Sequence, residues 1–268
     1  MALVSRPCQL PYVSSFPRLI GAALSFAVLV GCASTDAPTH LSRDAALRDL
    51  YLYDARDTTR PPRALIFFLG NDVGFWEPHR KLAVSLSKAQ FAVAGVDIKG
   101  LLHTLPDCDP ERDSAFADTM RTLIQRTRRE LKADSIPLII AGHSLGAELA
   151  IWTAAHVRVP GTIGVLAMSP GTRSHLRVSV SDIMNGPEPT GPESFSVADE
   201  IKLLPPSERV AIVRGTRDQY AKGDSALVAS GRDRANRFLV PFAGHSLKRI
   251  VTTSFETGRA LEWLITGR

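Results

Sequence analysis

One stretch decides the fold of this chain: residues 136–147, which read IPLIIAGHSLGA. The apolar run from Ile136 to Ala141 predicts a buried strand, and the residues from Leu145 to about Val157 predict a helix. Ser144 lies between them, with a glycine two positions away on either side, so the backbone can turn tightly without side-chain clashes. The stretch therefore predicts a strand, a sharp turn that exposes Ser144, and a helix whose first N–H groups point toward that serine.

The segments on both sides of this stretch alternate between strand and helix patterns. The run from Ala64 to Leu69 is apolar on both faces, which is typical of an interior strand of a parallel sheet. The alternation predicts an α/β fold with a mostly parallel central sheet flanked by helices. Predicted strands are 50–53, 64–69, 91–97, 136–141, 162–168, 209–214 and 238–241, with an extended piece at 176–180, and predicted helices are 76–88, 114–131, 145–157, 198–204, 222–231 and 248–266.

The composition is that of an ordinary globular protein. The chain has 268 residues, of which 44% are apolar and 22% charged, and this excludes collagen-like, low-complexity, disordered and multi-span membrane classes. Its net charge of +5 comes partly from residues 1–31, which contain two arginines and no acid; without them 30 basic and 27 acidic side chains remain. This balance gives no indication of a nucleic-acid partner.

The first residues are predicted to lie outside the folded domain. Arg6 and Arg18 precede an apolar run of 12 residues from Leu19 to Val30, and small and polar residues follow it. A positive start, a short apolar run and small residues at its end are typical of a secretory signal. The run is too short to cross a bilayer, which requires about 20 apolar residues.

Residues 29–32, Leu-Val-Gly-Cys, resemble the lipobox of bacterial lipoproteins, in which cleavage before the cysteine precedes its attachment to lipid. The resemblance implies that Cys32 is the lipid attachment site and that acyl chains anchor an exported protein without a spanning helix. It also implies a periplasm-facing location in the cell envelope, at the outer membrane, since Ala33 and not an aspartate follows the cysteine. An ordinary cleaved signal that contains a cysteine is the alternative. The expected organisation is a lipoprotein signal peptide at 1–31, a lipidated tether at 32–43 and one folded α/β domain at 44–268.

Two further strand ends carry residues that complement Ser144. The stretch 211–218 is a strand that runs into a glycine turn and ends at Asp218, and the stretch 239–245 is a late strand that ends at His245. Ligands of parallel sheets bind beyond the carboxyl ends of the strands, so the three residues are expected to meet there. Serine, acid and histidine in this chain order, each at a strand end, are what the α/β-hydrolase fold requires.

The mature chain thus resembles the α/β-hydrolase superfamily over nearly its whole length. The resemblance implies that Ser144 is the nucleophile, His245 its base, and Asp218 the group that orients His245 and stabilises its cation. Asp224 is the alternative acid. One oxyanion donor is expected to be the backbone N–H of Leu145, and the second to come from the loop after Leu69. We assign that second donor to Asn71, with Asp72 as the alternative.

A closer resemblance, to the bacterial VirJ and AcvB virulence-protein family, is visible in four segments. They are the loop 69–76, the strand 93–97, the stretch 178–183 and the late Gly-His loop at 244–245. The resemblance implies a periplasmic enzyme that hydrolyses lysyl-phosphatidylglycerol, an aminoacyl ester of a membrane lipid. The expected function is a lipid-anchored serine hydrolase that cleaves a small-molecule or lipid ester through an acyl-enzyme. The alternative is a non-catalytic, VirJ-like envelope or secretion accessory protein, because a fold does not fix a function.

Other features of the sequence favour simple interpretations. The segment 170–206 has fewer than 40 residues between two core strands, so we expect a small cap or none. His143, beside the serine, is interpreted as a packing residue under the turn, and Asp97 either lines the pocket or caps a turn. No cofactor is expected, and the sequence gives no oligomeric state. Four other histidines show no metal-ligand spacing with carboxylates or thiols; they are His79, His103, His156 and His175.

Overall fold

The structure, a computed structural model, describes residues 40–41, 50–55, 57, 59–109, 111–184, 186–245 and 254–268. Its centre is an eight-stranded sheet, which consists of β1 (His40–Leu41), β2 (Leu50–Tyr53), β3 (Leu65–Leu69), β4 (Ala92–Val96), β5 (Leu138–His143), β6 (Thr162–Met168), β9 (Arg209–Gly215) and β10 (Ala235–Val240), and a separate antiparallel pair consists of β7 (Arg173–His175) and β8 (Ser194–Ser196). The order of strands in the sheet is β1-β2-β4-β3-β5-β6-β9-β10. β2 runs antiparallel to its neighbours β1 and β4, and the remaining pairs are parallel.

Helices cover both faces of the sheet. They are α1 (Glu77–Lys88), α2 (Ile98–Leu102), α3 (Glu111–Glu130), α4 (Leu145–Val157), α5 (Val180–Ile183), α6 (Val197–Leu203), α7 (Asp224–Gly231) and α8 (Ser254–Thr266). The hydrophobic core on one face includes side chains of α3, α4, α6 and α7, and the core on the other face includes side chains of α1 and α8. Among the residues that the structure describes, every helix is too short or too polar to span a membrane.

β3 shows why this sequence forms an interior strand. Its five residues are all buried, and successive side chains point to opposite faces of the sheet. Leu65, Phe67 and Leu69 pack into one core, whereas Ile66 and Phe68 pack into the other. An apolar run with no polar face can be accommodated only between two helical layers, and the predicted fold class is thereby confirmed.

The segment between β6 and β9 differs from the prediction. Residues 176–180 were expected to be extended, but β7 ends at His175 and α5 begins at Val180. Ser179 caps this short helix: its hydroxyl accepts a hydrogen bond from the Asp182 N–H, and the Asp182 carboxylate accepts one from the Ser179 N–H. Such reciprocal capping favours a helical turn over a strand.

Other expectations differ at their boundaries, and α3 and β10 each begin three residues before the predicted start. The helix predicted for 222–231 begins at Asp224, after a 3₁₀ turn over Gln219–Gly223. His40–Leu41, expected in the tether, pair with β2 at the sheet edge. The predicted signal peptide at 1–31 and the lipid attachment site Cys32 lie outside the described residues.

Candidate active site

Ser144 lies in a sharp turn between β5 and α4. Its backbone has φ 54° and ψ −127°, a conformation that non-glycine residues rarely adopt, and its N–H donates to the carbonyl of Met168 at 2.9 Å. A Cβ at Gly142 would overlap the carbonyl oxygen of Gly146, and a Cβ at Gly146 would overlap that of Gly70. Both glycines are therefore required by close backbone approach, and the turn holds the serine above the carboxyl end of the sheet.

The three residues expected to act together are in hydrogen-bond contact. His245 Nε2 lies 2.9 Å from Ser144 Oγ, and His245 Nδ1 lies 3.2 Å from both carboxylate oxygens of Asp218. Asp218 follows β9 and His245 follows β10, so neighbouring strand ends bring the acid and the base beside the serine. The ring of Tyr220 packs edge-on against His245, with 5.1 Å between ring centroids.

A buried arginine holds the acid of this set. Arg214 Nη1 lies 2.8 Å from Asp218 Oδ2, while its Nε and Nη2 lie 3.0 and 2.8 Å from Asp224 Oδ1; all three side chains are fully buried. Burial raises the pKa of Asp218, but the hydrogen bond from His245 and the charge of Arg214 outweigh it and hold that pKa well below its ordinary value. Asp224, the alternative acid, pairs with Arg214, and His245 contacts Asp218.

The predicted oxyanion region is divided between two elements. Leu145 begins α4 and lines the pocket beside Ser144, and N–H groups of a first helical turn have no partner within their helix. The N–H of Asn71 is turned toward its own loop and donates to the carbonyl of Gly74 at 3.3 Å, while the Gly74 N–H donates back at 2.8 Å. Asp72 lines the pocket with Ser144. The second donor therefore stays a prediction, with Asn71 assigned and Asp72 as the alternative.

Comparison with solved structures identifies the architecture. A thermostable carboxyl esterase of Bacillus coagulans is 14% identical over 84% of this chain and 97% of its own, with a TM-score of 0.57. Est1E of Butyrivibrio proteoclasticus is 14% identical over 82% and 94%, with a TM-score of 0.55. The esterase domain of a Rhodothermus marinus protein is 14% identical over 80% and 91%, with a TM-score of 0.56.

This is the α/β-hydrolase fold. Identities this low establish the shared fold and leave activity to be argued from the site. No protein-family model and no curated protein matches the chain.

The pocket beside Ser144 is lined by carboxylates. Asp72, Glu148, Asp182 and Glu188 surround the space next to Ser144, together with Arg173 and the hydroxyl of Ser181. Burial raises the pKa of Asp72, and the charge of Asp182 adds to that effect. The pocket therefore favours a cationic or hydrogen-bond-donating group near the serine.

Glu148 is the most perturbed of these carboxylates. Burial raises its pKa to about 8, even though it accepts a hydrogen bond from the Gly171 N–H at 2.7 Å. The charge of Glu188 raises it further. Glu148 lies on α4 one turn after Ser144 and was not singled out by the sequence, because its spacing is also that of an ordinary solvent-facing helix residue.

A second cavity, which is larger than the pocket beside Ser144, lies away from that serine. It has a volume of about 580 Å³ and is lined mainly by apolar side chains of α1, β10 and α8, including Leu82, Phe238 and Trp263. It contains none of the three residues expected to be catalytic.

Asp97 accepts a hydrogen bond from the Gly100 N–H at 3.2 Å and so caps α2, as one of its two interpretations proposed. Across the part of the chain that is described, no group of three or more His, Cys, Asp or Glu side chains is arranged to hold a metal ion.

Proposed function

We propose that this protein is a serine ester hydrolase that works through an acyl-enzyme. The observation that supports the proposal is the continuous contact from Ser144 Oγ through the His245 ring to Asp218, with 2.9 Å on one side of the ring and 3.2 Å on the other. This is the arrangement in which an imidazole takes a proton from a hydroxyl while a carboxylate stabilises the resulting cation.

The chemical steps follow from the positions of these atoms. His245 Nε2 accepts the Ser144 proton as Oγ forms a bond to the ester carbonyl carbon, and the carbonyl becomes an oxyanion. Backbone N–H groups of Leu145 and of the 71–72 loop stabilise this oxyanion. The imidazolium then donates its proton to the leaving alcohol as the C–O bond breaks. Water, deprotonated by His245, hydrolyses the acyl-serine and releases the acid.

The proposed substrate is an aminoacyl or acyl ester of a membrane lipid. The resemblance to VirJ and AcvB implies lysyl-phosphatidylglycerol, and the carboxylates of Asp72, Asp182 and Glu188 beside Ser144 suit the ammonium groups of its lysyl ester. An anchor at Cys32 would hold the enzyme at the periplasmic face of the outer membrane, where the effective concentration of lipid esters is high.

The enzyme class is tested by a fluorophosphonate probe together with hydrolysis of p-nitrophenyl butyrate. Wild type should be labelled and should hydrolyse the ester, and Ser144→Ala should do neither, with a loss of about 10⁴-fold or more. Ser230→Ala, which removes an exposed hydroxyl on α7, is the matched control and should behave as wild type. Absence of labelling in the wild type would favour the non-catalytic accessory protein.

The lipid substrate needs a separate experiment. The full chain is added to vesicles of phosphatidylglycerol that contain lysyl-phosphatidylglycerol, and the lipids are separated by thin-layer chromatography. Loss of the lysyl lipid with release of lysine supports the proposal. If the protein hydrolyses p-nitrophenyl butyrate but leaves the lysyl lipid intact, the substrate assignment is wrong while the enzyme class stands. Cys32→Ala should leave the chain unlipidated and reduce turnover in cells.

A further inference from the structure

A line of hydrogen bonds ends at the main-chain carbonyl of His245, whose ring contacts Asp218. The Trp76 N–H donates to His79 Nδ1 at 3.3 Å, His79 Nε2 lies 3.4 Å from His143 Nδ1, and His143 Nε2 lies 3.0 Å from the main-chain carbonyl of His245. We call these groups the imidazole chain. It connects α1, the end of β5 and the loop after β10.

The direction of each bond is fixed by chemistry. A backbone N–H can only donate, so His79 Nδ1 is an acceptor and its Nε2 carries the proton. That proton is donated to His143 Nδ1, which leaves the proton of His143 on Nε2. A carbonyl can only accept, and His143 Nε2 donates to the carbonyl of His245. All bonds therefore run one way, and they do so only if both rings are neutral.

The surroundings of the rings keep them neutral. His79 is fully buried, with Phe68 edge-on and Phe75 stacked at centroid distances of 5.4 Å. Burial lowers the pKa of His79 well below its ordinary value, and burial also lowers that of His143 to about 4. A proton added to either ring would place two N–H groups face to face and break the line.

We propose that His79 and His143 are positioning residues whose one-way hydrogen bonds fix the backbone of His245, and with it the ring that serves Ser144. The inference rests on the proposed function. His245 is held at its ring by Asp218 and at its backbone by the imidazole chain. These two attachments restrain both the position of the Cα atom and the rotation of the ring, which the 2.9 Å contact to Ser144 requires.

The first test is the protonation state in the wild-type protein. Nitrogen-15 NMR of the histidine rings at pH 7 should show His79 and His143 neutral, each with its proton on Nε2. A proton on Nδ1 of either ring, or a charged ring, would overturn the proposal. This measurement requires no variant and no substrate.

The second test separates positioning from packing. His143→Gln keeps an N–H₂ donor close to Nε2, so kcat for p-nitrophenyl butyrate should stay within a few-fold of wild type. His143→Leu removes the donor and should lower kcat about 10- to 100-fold with KM little changed, because a displacement near 1 Å costs about that much. The low-field proton signal of the His245 Nδ1–H bond to Asp218 should weaken in parallel. His79→Leu should give the same pattern to a smaller extent.

The control is His156→Gln, which alters a histidine bonded to Glu200 on the far end of α4 and should change neither kcat nor the low-field signal. A folded His143→Leu protein with kcat within two-fold of wild type and an unchanged signal would overturn the inference alone. A wild type that hydrolyses no ester, but whose low-field signal still responds to His143→Leu, would overturn the proposed function and leave the inference standing.

Discussion

Asp218 and Glu148 are carboxylates of one site, 5% and 8% exposed, and their pKa values move in opposite directions. Burial raises both pKa values, yet the net effect is a lowered pKa for Asp218 and one raised to about 8 for Glu148. Asp218 contacts His245, and Glu148 lines the pocket beside Ser144. Their common property, burial, therefore does not explain their difference.

The difference comes from the partners. Asp218 faces the guanidinium of Arg214 and the ring of His245, both of which stabilise its negative charge. Glu148 faces a hydroxyl, a backbone N–H and a second carboxylate, Glu188. On the acid side a guanidinium contacts the carboxylate, whereas on the pocket side the carboxylate accepts from a neutral N–H and experiences the like charge of Glu188.

Replacing Arg214 should have the largest effect on the free energy of unfolding, and it would remove the contrast between the pKa values of Asp218 and Glu148. Arg214→Met leaves Asp218 and Asp224 buried without their cation, and loss of one partner of a buried pair costs about 3–5 kcal/mol of unfolding free energy. The pKa of Asp218 should rise, so the deficit relative to wild type should be smaller at pH 4 than at pH 7. Urea unfolding at the two pH values measures both effects.

Arg237→Met is the matched control. Arg237 Nη1 lies 3.7 Å from the other oxygen of Asp224, but its side chain is 38% exposed. An exposed ion pair contributes at most about 1 kcal/mol, so this variant should unfold nearly as wild type does. If Arg214→Met cost no more than Arg237→Met, Arg214 would not be the cause of the lowered pKa of Asp218.

The acid side was largely predictable from the sequence. Ser144, Asp218 and His245 each end a strand pattern, and parallel strands place their carboxyl ends at one edge, so linear order was enough to bring them together. The sequence pattern predicts Arg214 only as the last residue of an apolar strand. Its partners follow it by 4 and 10 residues and are turned back by Gly215 and the 3₁₀ turn, which periodicity does not reveal.

The pocket side and the imidazole chain were not predictable in this way. Glu148 and Glu188 are 40 residues apart, and their proximity depends on how the β7–β8 ribbon folds over α4. His79 and His143 are separated by 64 residues and meet only because α1 packs against the end of β5. In the loop after β3, where Asn71 forms a short bridge to Gly74, a one-residue change of register decides whether the N–H of Asn71 or that of Asp72 faces the serine, and the sequence pattern does not fix that register.

Glu148→Gln should have an intermediate effect and would sharpen the contrast. With its pKa raised to about 8, Glu148 keeps its proton in the folded protein at pH values where the unfolded chain has released it. Wild type should therefore lose stability as pH rises from about 5 to 8, by up to about 1.4 kcal/mol per pH unit, relative to a variant that cannot titrate there. Gln retains the carbonyl that accepts from Gly171.

The measured quantity is the difference in unfolding free energy between wild type and Glu148→Gln at each pH. A difference is needed because burial also raises the pKa of Glu208, to about 7, and Glu208 adds its own slope to both proteins. A difference that does not change between pH 5 and 8 would mean that Glu148 titrates normally. The pKa values of Asp218 and Glu148 would then not move in opposite directions.

Glu188→Gln should have the smallest effect, and it separates burial from repulsion. The charge of Glu188 contributes less to the raised pKa of Glu148 than burial does. Removing that charge should move the upper end of the Glu148 slope to lower pH by only a fraction of a pH unit, while the slope itself remains. Gln keeps an acceptor for the N–H of Thr172, which Glu188 binds at 2.5 Å, so the ribbon should stay in place. If the slope instead disappeared in Glu188→Gln, repulsion between the two carboxylates, and not burial, would be what keeps Glu148 neutral, and a bound cation would then act on the pair as a unit.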